Sequence, residues 1–189
     1  MLIHQELVLS PFEQALIAET PENYRKPRFA QFLAVLTVLL FSLLYVPLAQ
    51  TAEVPLEGDS VLSVLNQDRL KYGLPMLRGN AQLETAALAK ARDMLEQGYF
   101  AHTSPSGTKP WEFIAAADFE YAFAGENLAI NYTSAYDLQN DFMASPAHRE
   151  NLLSPLFSEI GIAVLTGDYK GEKATITVQM FASPTETAR

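Results

Sequence analysis

The chain has 189 residues, no cysteine, a formal net charge of −9 and a hydrophobic fraction of 49%, enough for one domain of ordinary size plus an appendage. Without cysteine, disulfides, thiolate nucleophiles and Cys-ligated metal sites are excluded. The acidic balance argues against nucleic acid or anionic lipid headgroups as partners.

Residues 1–28 read as a short cytoplasmic segment, in which Ser10-Pro11-Phe12-Glu13 has the spacing of a helix start. Residues 29–48 contain no charge. At about 1.5 Å per helical residue, twenty residues span a hydrocarbon core of about 30 Å. Arg25, Lys26 and Arg28 precede this run, and no Lys or Arg follows until Arg69. The positive-inside rule therefore predicts a single transmembrane signal anchor, a cytoplasmic N-terminus and a periplasmic or extracellular C-terminal domain. A cleaved signal peptide is the rival, with Ala49 or Ala52 at the cut. Its basic start and apolar run are too long for that pattern, and Pro47 and Gln50 sit poorly before the cut.

Residues 49–58 form a linker broken by Pro55 and Gly58. Beyond it, residues 53–189 hold 18 acidic and 10 basic residues, and a domain of this size can fold without disulfides. Asp59 is expected to cap a helix running to about Tyr72, with Val61, Leu62, Leu65 and Arg69 at helical spacing. Asn80 caps a second, with Leu83, Ala87, Ala91, Met94 and Leu95 inward and Gly98 at its end. A turn at Pro105-Ser106-Gly107 precedes a short helix opened by Pro110. Ser134 caps a further helix to about Ala144, with Tyr136, Leu138, Phe142 and Met143 among its larger apolar positions. The period then changes. Residues 160–165 and 174–181 alternate as two strands around Gly167-Asp168-Tyr169-Lys170-Gly171, an antiparallel hairpin, and residues 183–189 are expected to fray. Helices first and strands last predict an α+β fold over residues 59–182.

Three motifs hold the chemistry. His102 follows a helix end and precedes a Ser-Pro turn. His148 sits third in a helix that Ser145 caps and Pro146 opens, where the positive helix end disfavours imidazolium. Glu126 reads as a loop acid between Tyr121, Phe123 and Leu128, in surroundings dry enough that its carboxylate needs partners, with an imidazole or the Asn127 side chain as candidates. Glu159, entering the first hairpin strand, is a fourth candidate. His102, His148 and Glu126 together have the residue types of a zinc site. Arg149 and Asn151 are expected to pin the Leu152-Leu153-Ser154-Pro155 segment.

Leu65-Asn66-Gln67-Asp68-Arg69, Tyr99-Phe100-Ala101-His102-Thr103-Ser104-Pro105, Gly125-Glu126-Asn127-Leu128-Ala129, Ser145-Pro146-Ala147-His148-Arg149-Glu150-Asn151-Leu152 and Glu159-Ile160-Gly161-Ile162-Ala163 together resemble the bacterial branch of the CAP superfamily. This family includes cysteine-rich secretory proteins, antigen 5 and pathogenesis-related 1 proteins. The resemblance covers about residues 60–182 and implies an α-β-α sandwich with a central cleft. In eukaryotic members that cleft holds two histidines and two glutamates, some with a divalent metal. The first histidine maps onto His102 and the Gly-Glu-Asn-Leu glutamate onto Glu126. Where the family has its second glutamate and second histidine, this chain has Ser145 and Leu156. His148 belongs instead to the bacterial Ser-Pro-x-His-Arg motif.

The resemblance implies a binding domain more than an enzyme, taking a small ligand, lipid, peptide or wall fragment in the cleft. A zinc hydrolase using His102, His148 and Glu126 is the alternative, without an HExxH or GxSxG motif to support it. A purely structural role for these residues is the third reading.

Overall fold

The computed structural model describes residues 54–185. The expected cytoplasmic segment and membrane anchor lie outside the described residues. Among those described, no helix is long and apolar enough to cross a membrane.

Five helices and four strands alternate irregularly along the described chain: α1 (Gly58–Lys71), β1 (Arg78–Gly79), α2 (Ala81–Gln97), α3 (Pro110–Ala116), β2 (Tyr121–Ile130), α4 (Ala135–Ala144), α5 (Pro146–Leu152), β3 (Glu159–Tyr169) and β4 (Glu172–Pro184). The strands form one mixed sheet in the order β1-β3-β4-β2. β1 runs parallel to β3, and the other neighbours are antiparallel. β2 is therefore an edge strand.

Helix caps follow local chemistry. The Asn80 side chain accepts from the backbone N–H groups of Gln82 and Leu83 (2.9 and 3.1 Å), and Gly98 ends α2 in the left-handed region at φ 63°. Ser134 accepts from the Asp137 N–H at 3.4 Å, and Pro110 opens α3. One expected cap is displaced. α1 begins at Gly58 after Glu57, so Asp59 lies inside the first turn, with Arg69 and Lys71 in the last. That charge order favours the helix dipole without a side-chain cap. In α4, Leu138 and Phe142 face inward as expected. Tyr136 is exposed, and Gln139 takes a buried position instead.

The hairpin is tighter than the glycines suggest. Tyr169 pairs with Glu172, so only Lys170 and Gly171 form the turn, both at positive φ (58° and 88°). Such a two-residue turn matches the right-handed twist of its strands. β4 continues through Ser183 and Pro184, which pair with Phe123 and Tyr121, so strand pairing extends past the expected boundary at 182.

The largest departure is β2. Residues 121–130, read as a loop around Glu126, pair with β4 along most of their length. Residues 126–129 are buried in succession, because helices cover both faces of the sheet and erase the alternation that marks a half-exposed strand. Leu128, Ile176, Val178, Met180 and Ala182 join α2 and α3 in one core. Ala129, Ile160, Ile162 and Phe181 join α1, α4 and α5 in the other. At Gly161 a β-carbon would fall 2.0–2.3 Å from the backbone of Leu83 and Glu84, so α2 seats directly on β3 there.

Candidate functional site

Successive residues of a strand point to opposite faces, and this divides the Gly-Glu-Asn-Leu motif. Glu126 shares its face with Met180 and the α2 core. Its Oε1 lies 2.6 Å from His102 Nδ1. An ionised carboxylate only accepts, so the ring donates from Nδ1 and turns Nε2 outward. The Glu126 side chain is 2% exposed and that of His102 61%. The second oxygen, Glu126 Oε2, is buried without a hydrogen-bond partner.

Burial pushes the Glu126 carboxyl above the usual range. The His102 hydrogen bond and the charges of Lys90 and His102 pull it back in part. Lys90 comes from α2 and is fully buried. Its ammonium donates to the Tyr99 hydroxyl at 2.9 Å and to the His102 backbone carbonyl at 2.7 Å, and lies 4.7 Å from the Tyr99 ring centroid. The Tyr99 hydroxyl in turn donates to Asp93. Burial lowers the Lys90 pKa, while Glu126 and Asp93 oppose that shift. Burial and the Asp93 contact raise that of Tyr99. Lys90 lies outside the five motifs, yet the sequence carries a signal for it. Position 90 follows Leu83 by seven residues and precedes Met94 by four, a lysine in an otherwise apolar helical stripe.

Asn127 points to the other face. Its amide donates to Gln179 Oε1 (3.2 Å) and to the His148 carbonyl (3.3 Å). The Asn151 amide donates to Asn127 Oδ1 (2.9 Å) and to the Glu126 carbonyl (3.1 Å). The Asn151 side chain thus ties α5 to β2, while the backbone carbonyls of Arg149 and Asn151 hold the following segment by accepting from the N–H groups of Leu153 (3.0 Å) and Ser154 (3.3 Å). The buried Arg69 fixes the same segment from α1, its guanidinium donating to the carbonyls of Leu152 (2.7 Å), Ser154 (3.0 Å) and Pro75 (2.9 Å).

His148 therefore has its backbone across β2 from the Glu126 carboxylate. Its Nδ1 meets Ser145 Oγ at 2.8 Å, and its ring packs on Phe142 with centroids 4.7 Å apart. Ser145 occupies the N-cap position of α5 but makes no cap bond with its side chain. Its hydroxyl serves the imidazole instead. Desolvation lowers the His148 pKa first and repulsion from His102 second, so the two rings feel each other without a shared bond.

Glu159 sits elsewhere. Its carboxylate accepts from Arg78 (3.0 Å) and Asn80 (2.7 Å) and lines a polar hollow with Gln82, Asp118 and Glu120. Among the described residues, no three His, Asp or Glu side chains form a group that could hold a metal ion. The expected zinc set of His102, His148 and Glu126 is thus not assembled, and His148 Nδ1 is engaged by Ser145. His102 and Glu126 supply a donor pair, short of a structural or catalytic zinc site.

The family model for CAP, the cysteine-rich secretory protein family, matches residues 62–181. The chain belongs to this family. Despite that description it has no cysteine, so no disulfide holds this CAP domain. Its relatives include YkwD of Bacillus subtilis, an uncharacterized protein 32% identical over 121 residues, covering 64% of this chain and 45% of YkwD. YlbC of the same bacterium, called an uncharacterized membrane protein, is 28% identical over 104 residues, covering 55% of this chain and 30% of YlbC. The matches thus span less than half the length of these relatives.

Among solved structures, an outer surface protein from Borrelia burgdorferi is similar at TM-score 0.59 and 26% identity, covering 66% of this chain and 90% of that one. An extracellular SCP-domain protein from Bacillus anthracis is similar at TM-score 0.58 and 25% identity, covering 66% and 39%. These CAP relatives are bacterial, and one is called a membrane protein.

Proposed function

We propose that this chain is an exported CAP-domain protein anchored by residues 29–48, and that it binds a ligand at the His102–Glu126 pair without transforming it. The carrying observation is the pair itself: a buried carboxylate whose hydrogen bond fixes the imidazole of His102, a side chain that is 61% exposed. With Nδ1 held by the carboxylate, the other ring nitrogen is left to accept from a ligand. A ligand bearing a hydroxyl, amide or amine supplies that donor at the exposed imidazole. A wall fragment, a peptide and a polar lipid headgroup all carry such groups. The anchor would hold the domain on the outer face of the membrane, which accords with YlbC being called a membrane protein.

The test uses the full-length chain with histidine rings labelled by 15N. Soluble wall fragments, short peptides and dihexanoyl phosphatidylcholine are titrated separately. Binding by one probe should move the His102 ring signals, and Glu126→Gln should weaken it about tenfold, as for loss of about 1.4 kcal/mol. Recovery of each probe intact by mass spectrometry distinguishes binding from hydrolysis. Cleaved product would replace this reading with the hydrolase. No movement with any probe would leave the pair as a structural tie. Protease added to intact cells should digest residues 59–189 only from outside the inner membrane, and digestion from the cytoplasmic side would reverse the orientation.

A further inference from the structure

We infer that Lys90 is a positioning residue for the His102–Glu126 pair, holding the His102 main chain from the core side while Glu126 holds its side chain. The inference deepens the binding reading, yet it stands on contacts that exist without a ligand.

His102 lies in the segment between α2 and α3, and its side chain is mostly exposed. An exposed ring on a connecting segment keeps one orientation only if something fixes the backbone that carries it. Two bonds meet at this residue. The carboxylate of Glu126 takes Nδ1, and the ammonium of Lys90 takes the carbonyl oxygen. The first comes from the edge strand and the second from α2, so one residue is clamped between sheet and helix.

Lys90 is itself fixed. A flexible four-carbon stem is enclosed by the apolar stripe of α2, where Ala86, Ala87, Ala91 and Met94 are fully or almost fully buried. The Tyr99 hydroxyl accepts from the ammonium, and Asp93 accepts from that hydroxyl. The aromatic faces of Tyr99 and Phe113 lie 4.7 and 5.4 Å from the charge. Tyr99 closes the last turn of α2, its N–H bonded to the Met94 carbonyl at 3.1 Å. The segment is thus held at Tyr99 and again at His102, both times through the same lysine.

An apolar core would have served stability at least as well, since a buried charge carries a desolvation cost that packing does not. What the lysine adds is a cation in a dry place. It donates to the one carbonyl that sets the His102 backbone and lies close enough to Glu126 for their charges to interact. A methionine at position 90 would fill much of the same volume and supply neither.

The test follows the His102 Nδ1 proton in the full-length chain with 15N-labelled histidine rings, its signal assigned by its absence in His102→Gln. In the parent chain the proton is expected downfield and slow to exchange, as for a hydrogen bond to a carboxylate. In Lys90→Met the backbone amide spectrum should keep its dispersion while this one signal is lost or moves upfield. Persistence of the signal unchanged in folded Lys90→Met overturns the inference. Should Lys90→Met fail to fold, thermal unfolding of Lys90→Met/Glu126→Gln decides. Removing both charges should restore a cooperative transition, and a double variant no more stable than Lys90→Met alone overturns the inference as well. The binding reading fails differently, through silent titrations of a parent chain whose Nδ1 signal is intact.

Discussion

Glu126 and Asn127 are neighbours on β2 whose side chains serve opposite faces of the sheet. Glu126 faces α2 and His102. Asn127 faces α5, joining Asn151 and the His148 carbonyl. The two histidines of the sequence motifs are therefore gathered at one strand from its two sides.

Glu126 gives a pH dependence whose sign is fixed by burial. Its carboxyl is raised above 4.5 in the folded chain, so the folded state holds its proton longer than the unfolded state does. The contribution to stability is present below pH 4.5 and is lost as pH rises through the raised folded value. Glu126→Gln should remove this loss. Urea midpoints between pH 4 and 8 should fall with rising pH more in the parent than in the variant. A constant offset across that range would contradict the assignment.

His148 works in the opposite direction. Burial and His102 lower its pKa below 6.5, so the unfolded chain takes up the proton first on acidification. Stability from neutral His148 is present above pH 6.5 and is lost as pH falls through the lowered folded value. The thermal midpoint of the parent should therefore drop between pH 7 and 5 by more than that of His148→Gln. Equal slopes would show that the ring is not held neutral by its surroundings.

Gly161 and Gly167 make a matched pair. A β-carbon at Gly161 meets the α2 backbone, whereas one at Gly167 comes within 2.9 Å of the end of the Leu95 side chain. Backbone of a packed helix moves only with the whole element, while a leucine tip can rotate away. Gly161→Ala should cost about 3 kcal/mol, at the upper range for overpacking. Gly167→Ala should cost about 1 kcal/mol or less. Urea unfolding of both variants checks the order, and comparable losses would refute it.

Arg69 spans three carbonyls from two segments. A lysine keeps the charge but lacks the planar fork that reaches them together. Arg69→Lys should cost about 2–3 kcal/mol, as for loss of charged hydrogen bonds in a buried place. The urea midpoint should fall with the slope unchanged. A loss below 0.5 kcal/mol, the range of ordinary surface changes, would mean that the fork is not needed.

Legible in the sequence alone were the family, the caps at Asn80 and Ser134, the stop at Gly98 and the β3–β4 pairing, because each is carried by short local segments of the chain. Its five motifs also singled out His102 and Glu126. That residues 121–130 form a strand emerges only from the tertiary structure, since burial on both faces removes the period-2 signal. It alone turned Glu126 and Asn127 apart, gave Ser145 to His148 instead of a cap, separated Glu159 into its own hollow, and placed Lys90 behind His102. Apart from the Ser145–His148 bond, these rest on contacts between residues well separated in sequence, and their partners are chosen by how α2 and α5 seat on the two faces of one sheet. A lysine in an apolar stripe could be read from the sequence as an exception to its helix. That it reaches a carbonyl twelve residues onward follows only from where α2 ends and the chain turns back.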